Sequence, residues 1–126
     1  MNFPKNLLYS KDYLWALKKE DLVIIGVIEL AAKKAKEFAY INFPKKGDNV
    51  NKGDTLISLE AVKWTGTLKS PISGEVIEIN SKAYGEPSIV NSKPYETWLV
   101  KLKIKNLEEF KDLMNSQKAL KYYEND

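Results

Sequence analysis

Gly53-Asp54-Thr55-Leu56-Ile57-Ser58-Leu59-Glu60-Ala61-Val62-Lys63-Trp64-Thr65-Gly66-Thr67-Leu68-Lys69-Ser70-Pro71-Ile72-Ser73-Gly74-Glu75-Val76 is the stretch on which the fold turns. It opens on a Gly-Asp turn signal and runs through apolar and β-branched residues to Leu59. After Lys63 it returns through a second short run to Ser70-Pro71. Two such runs around a brief connection read as a β-hairpin. Lys63 falls at its tip, where a side chain is exposed and held away from competing surfaces. Gly66 is expected to supply conformational freedom beside it.

The same punctuation extends outward. From Pro44 to Val100, glycines stand at 47, 53, 66, 74 and 85, and prolines at 44, 71, 87 and 94. Between them lie short apolar runs, Thr55 to Leu59, Glu75 to Ile79, Ser88 to Val90 and Trp98 to Ile104. Short strands separated by regular turn signals indicate a small β sandwich or barrel. Pro44-Lys45-Lys46-Gly47-Asp48 is faintly echoed by Pro71-Ile72-Ser73-Gly74-Glu75, and Gly53-Asp54 by Gly85-Glu86. The echo fits two similar halves about the central hairpin, or simply the preference of turns for Gly and Asp.

Upstream, Leu14 to Lys18 and the β-branched run Leu22 to Ile28 read as strands. Residues 29–37 combine strong helix formers with apolar positions at helical spacing, so a short helix is expected there. Phe38 to Phe43 returns to strand composition. Past Ile104, Leu107, Phe110, Leu113 and Met114 recur as one face of an amphipathic helix. A second helical piece is expected from Ala119 to Tyr123. One domain over residues 1–126 follows, mainly β, with a helical tail at about 106–126.

Composition narrows the function. The 126 residues carry 20 basic and 17 acidic side chains, a net charge of +3. The charges are interspersed, as on a solvated surface rather than a nucleic-acid patch. No apolar segment approaches the length of a membrane span. Met1 to Ser10 lacks the features of a secretory leader. No membrane association is expected, and a cytoplasmic location is the default. There is no Cys and no His. Disulfides, thiolate nucleophiles, Cys/His metal sites and imidazole acid–base chemistry are thereby excluded. No nucleophile-elbow pattern, phosphate-binding glycine loop or paired acidic motif appears either. A binder, a carrier or a structural piece fits better than an enzyme, and neither catalytic nor metal-binding residues are assigned.

The segment from Gly53 to Val76 resembles the lipoylation segment of glycine-cleavage H proteins. That family has Gly-Asp or Gly-Glu, a strand, Glu-Ser-Val-Lys-Ala, then Ser-Pro-x-Ser-Gly-x-Val, and the lysine-to-proline spacing is kept here. Further landmarks agree in order: Tyr9, Trp15, Val27 after Gly26, Ala31, Pro44 with Gly47, Asn80, Pro87, Asn91 and Trp98. The resemblance implies a lipoyl-domain-like β sandwich, a barrel-sandwich hybrid, with one short helix and the helical tail. It implies lipoic acid attached to Lys63 through an amide, with Glu60, Val62, Trp64 and Gly74 in support. Glu60 would help a lipoyl-attaching enzyme read the hairpin, and Gly74 would permit the returning turn. The arm so formed reaches roughly 14 Å, at about 1.5 Å per bond. The implied partners are glycine decarboxylase, aminomethyltransferase and dihydrolipoamide dehydrogenase, served by a monomeric, non-catalytic carrier of an aminomethyl group.

The sequence departs from the family in four places. The core motif reads Glu60-Ala61-Val62-Lys63-Trp64, and Trp64 either anchors a partner or folds back onto the sheet. The family's His-Glu-Trp reads Tyr13-Leu14-Trp15, and its Asp four residues past the lysine is Thr67. Those two acids line the cleft that shelters a loaded, cationic arm in typical members, so Leu14 and Thr67 predict weaker sheltering of such a cargo. Pro94 to Trp98 is glycine-free and shortened. The usual Leu-Gly-Asp is Ala35-Lys36-Glu37. These differences leave open a second function, an H-like lipoyl carrier in another pathway. Sulfur-compound oxidation with a heterodisulfide-reductase-like complex, or lipoyl relay to other enzymes, are the examples.

Overall fold

A computed structural model describes all residues, 1–126. The chain begins with β1 (Leu8–Tyr9), β2 (Leu14–Lys19) and β3 (Leu22–Val27). β2 and β3 pair antiparallel from Leu14↔Val27 to Lys19↔Leu22. The β-branched run in β3 suits a strand buried in mid-sheet. Helix α1 (Glu29–Ala35) follows, then β4 (Phe38–Asn42), β5 (Asn49–Val50), β6 (Thr55–Ala61), β7 (Thr65–Lys69) and β8 (Gly74–Ile79). Two short helices, α2 (Ser81–Gly85) and α3 (Ser88–Ser92), lead to the last strand, β9 (Val100–Ile104). A 3-10 helix (Leu107–Asp112) and helix α4 (Ser116–Tyr123) form the tail.

The strands make two sheets that do not close into a barrel. One has the order β1-β2-β3-β9-β8-β5, the other β4-β6-β7. Apolar side chains from both, among them Val23, Ile25 and Leu102 from the first and Ile41, Leu59 and Leu68 from the second, meet in one buried cluster. The result is a β sandwich whose smaller sheet carries the hairpin read from the sequence.

Besides the two-residue strands β1 and β5, which fall in no expected run, three elements differ from expectation. Ser88 to Val90, read as a strand, belongs to α3. Pro87 sits at φ −58°, ψ −26°, already helical, and starts a turn that a three-residue apolar run cannot contradict. Helix α2 was not anticipated. Asn80 caps it, its side chain accepting from the N–H groups of Lys82 at 3.1 Å and Ala83 at 3.4 Å. The amphipathic stretch after Ile104 is 3-10 rather than α. Leu107, Phe110 and Leu113 are three apart, the period that aligns side chains in a 3-10 helix. Met114 leaves the helical pattern and pairs with Tyr9 through two backbone hydrogen bonds of 2.8 Å.

A second buried cluster lies beside the first, built from Phe3, Leu7, Tyr9, Trp15, Ile28, Met114, Ala119 and Tyr123. It docks the tail on the body of the molecule, so Tyr123 is core while Tyr122 stays half-exposed.

Candidate functional site

β6 and β7 pair from Thr55↔Lys69 to Glu60↔Thr65, leaving Val62, Lys63 and Trp64 as the tip. The Ala61 N–H donates to the Trp64 carbonyl at 2.9 Å and closes the turn. The tip is not free-standing. Val62 N–H donates to the Glu37 carbonyl and Lys63 N–H to the Ala35 carbonyl, both at 3.1 Å. Its backbone is thus docked on the turn between α1 and β4, while the Lys63 side chain is exposed and enters none of the ion pairs.

Beside the tip lies a cleft of about 230 Å³, lined by Tyr13, Ala31, Lys34, Phe38, Leu59, Lys63, Trp64 and Leu68. Its walls are apolar except for the two lysines and the Tyr13 hydroxyl. An exposed amine bordering an apolar cleft, with no carboxylate in the wall, suits a long acyl chain on Lys63. Ala31 and Lys34 reach the cleft together because they lie three apart on α1.

Tyr13 takes its place through an unusual backbone. Its φ is +67°, in the left-handed region that side chains other than glycine seldom occupy. The Tyr123 hydroxyl holds it there, accepting the Tyr13 N–H at 3.0 Å and donating to the Ser10 carbonyl at 2.7 Å. The Tyr13 hydroxyl donates to Asp126 Oδ2 at 2.7 Å, and Lys34 Nζ lies 3.1 Å from the same oxygen. The Tyr13 bond, then the Lys34 charge, hold the Asp126 carboxyl below its ordinary range. Burial, reinforced by Asp126, pushes the Tyr13 hydroxyl up to about 12.

The residues singled out in the sequence fall as follows. Glu60 is exposed on β6 between Tyr40 and Thr65. Val62 is 65% exposed at the tip. Trp64 folds back, packing on the main cluster and over Gly66. A Cβ on Gly66 would lie 2.8 Å from the Trp64 ring, so that glycine provides room for the indole rather than conformational freedom. Gly74 makes no returning turn. It begins β8 in the other sheet, where a Cβ would lie 2.5 Å from the Lys103 carbonyl oxygen. Its place is a close approach of two strands.

The two departures from the family's acids also change meaning. Leu14 is fully buried in the main cluster, and Thr67 is exposed on β7 opposite Ser58. Neither lines the cleft. A carboxylate that contacts its wall from outside is Asp126, through Tyr13 and Lys34, and no sequence motif marks it. Tyr13 was equally hidden, because its position depends on a tail more than a hundred residues away.

Residues 7–126 match the family model described as glycine cleavage H-protein. A probable glycine cleavage system H protein of Thermococcus gammatolerans is 42% identical over 122 residues, covering 95% of this chain and 91% of that one. A glycine cleavage system H protein of Halothermothrix orenii is 34% identical over 125 residues, covering 98% of each. The crystal structure of a glycine cleavage system H protein from Mycobacterium marinum superposes with a TM-score of 0.82 at 21% identity. It covers 94% of this chain and 97% of that one, and shows the fold to be the same.

Proposed function

The chain belongs to the glycine cleavage H-protein family, and from that premise we propose that it is a non-catalytic carrier whose cargo rides on lipoic acid joined by an amide to Lys63. One observation carries this reading: an unpaired, exposed lysine at a docked hairpin tip, bordering an apolar cleft. Bound there, lipoic acid supplies a dithiolane, the group-carrying sulfur that a chain without cysteine lacks.

The chain's own residues do the rest. The Ala35 and Glu37 carbonyls hold the lysine backbone in place. Phe38, Leu59, Trp64 and Leu68 give the cleft beside it an apolar wall. Acylation removes the Lys63 charge and leaves Lys34 with its own partner, Asp126. Glu60 and Val62, exposed on the approach to the tip, are offered to a lipoyl-attaching enzyme, and Trp64 serves as a wall. Gly74 supports the arm only indirectly, by keeping the larger sheet closely packed. The cargo in this reading is an aminomethyl group, received from glycine decarboxylase and offered to aminomethyltransferase, with dihydrolipoamide dehydrogenase restoring the oxidised state. The setting is the cytoplasm; no helix is long and apolar enough to cross a membrane.

A second reading rests on the cleft wall. It holds no acid of its own, and Asp126, which touches it from outside, is already paired with Lys34 and Tyr13, so the wall offers no free carboxylate to a cationic cargo and an H-like carrier in sulfur-compound oxidation or lipoyl relay stays in view.

The test is intact-mass spectrometry of wild type and Lys63→Arg from a lipoate-replete host. Wild type should gain one lipoyl group and the variant none. Arg keeps the charge but accepts no acyl group here. Modification that survives in Lys63→Arg defeats the assignment.

A further inference from the structure

We propose that Asn91 is a positioning residue for Lys63, clamping the strained turn on which the hairpin tip is docked. The proposal rests on the reading of Lys63 as the carrier lysine only for its functional meaning; the clamp itself stands on geometry.

Asn91 sits half-buried on α3, and its amide reaches three backbone groups. Nδ2 donates to the Lys36 carbonyl at 2.7 Å and to the Ala32 carbonyl at 3.1 Å. Oδ1 accepts the Phe38 N–H at 2.8 Å. Both amide protons and one acceptor site are thereby used. The three groups flank one turn, from the last residues of α1 to the first of β4. No other side chain hydrogen-bonds the backbone between Ala32 and Phe38.

At the centre of that turn is Lys36, with φ 74° and ψ −84°. This is the geometry of a γ-turn with positive φ, rare and strained for a residue with a side chain. Such a conformation persists only where its surroundings over-determine it, and here Asn91 is the surrounding that does so. On the other side of the turn, the Ala35 and Glu37 carbonyls receive the N–H groups of Lys63 and Val62. The order of support runs from Asn91 to the turn and from the turn to the tip. Asn91 touches neither Lys63 nor the cleft, yet it sets the direction in which the lysine leaves the hairpin.

Amide hydrogen exchange on the unmodified chain tests this directly. In Asn91→Ala, the Val62 and Lys63 amides should exchange at least tenfold faster. Those of Ile25 and Leu102, in the β3–β9 pairing, should change less than twofold. Adding Lys36→Gly, which relieves the positive φ, should restore most of the protection at the tip. This double variant also supplies the measurement if Asn91→Ala alone does not fold. Unchanged exchange at the tip, or an equal rise at core amides, overturns the clamp. A second readout is acylation by a lipoyl-attaching enzyme, where Asn91→Ala should raise KM severalfold at unchanged kcat. An unchanged KM overturns the positioning role. Exchange does not depend on acylation, so failure of the lipoyl reading and failure of the clamp are told apart.

Discussion

The two buried clusters of this molecule are held together by different physics. The one between the sheets contains no polar side-chain atom: Leu, Ile, Val and Ala fill it, with Phe38. The one under the tail is aromatic, and its polar tips are all spoken for. Tyr9 donates to the Pro4 carbonyl at 2.5 Å, Trp15 to the Pro94 carbonyl at 3.0 Å, and Tyr123 bridges Tyr13 and Ser10. Aliphatic packing is non-directional and asks for volume and pattern. Hydrogen-bonded aromatics ask for orientation as well, and here they join segments far apart in the chain. The first cluster makes the sandwich; the second aims a residue at the cleft.

The largest effect expected from breaking this contrast is a charge placed in the aliphatic cluster. Leu14→Glu should cost about 3–5 kcal/mol in urea denaturation, because the carboxylate is buried without a partner. It would not restore an acid to the cleft. A loss below about 1 kcal/mol would mean that the side chain at 14 reaches solvent, and the assignment of that position to the core would fail.

A smaller effect is expected from removing one hydroxyl in the aromatic cluster. Tyr123→Phe keeps the ring but leaves the Tyr13 N–H and the Ser10 carbonyl without their partner. An unsatisfied buried group costs about 1–3 kcal/mol, so the midpoint of thermal unfolding should drop accordingly. Exchange at the Tyr13 amide should rise more than at Ile25. Equal changes at both would show that Tyr123 stabilises the body and has no particular hold on the cleft wall.

The most graded effect is alkaline. Burial pushes Tyr13 and Tyr95 up to about 12, and Tyr9 and Tyr123 higher still. An unfolded tyrosine titrates near about 10. A raised folded pKa means stability fully present below pH 10 and lost as pH rises toward and through the folded values. Denaturant midpoints measured from pH 9 to 12 should therefore stay level to about 10 and then fall. A flat profile to pH 12 would show these hydroxyls to be free to ionise in place.

This contrast also explains what could be read from the sequence. The β-branched run of β3, the helix formers of α1 and the paired runs around Lys63 are local signals, and the elements lie where they indicate. The place of Lys63 at a hairpin tip was legible because its hairpin is contiguous. The cleft was not, because its walls come from the β1–β2 connection, α1, β4 and both hairpin strands. Leu14 could not be told from a cleft residue, since the left-handed turn at Tyr13 decides which of the two neighbours faces outward. The glycines misled for the same reason. At Gly66 and Gly74 the requirement is space for a neighbour, the Trp64 ring in one case and the β9 backbone in the other. Neither needs a positive φ.

The bond between Tyr13 and Tyr123 spans 110 residues, and that separation has a consequence in time. A chain made from its N-terminus completes the hairpin bearing Lys63 before it has a Tyr123 to fix Tyr13. Synthesis adds about 5–20 residues per second, so the interval lasts several seconds. During it the lysine exists beside a wall that is not yet fixed. The order of manufacture thus presents the hairpin tip before the cleft that will flank it is finished.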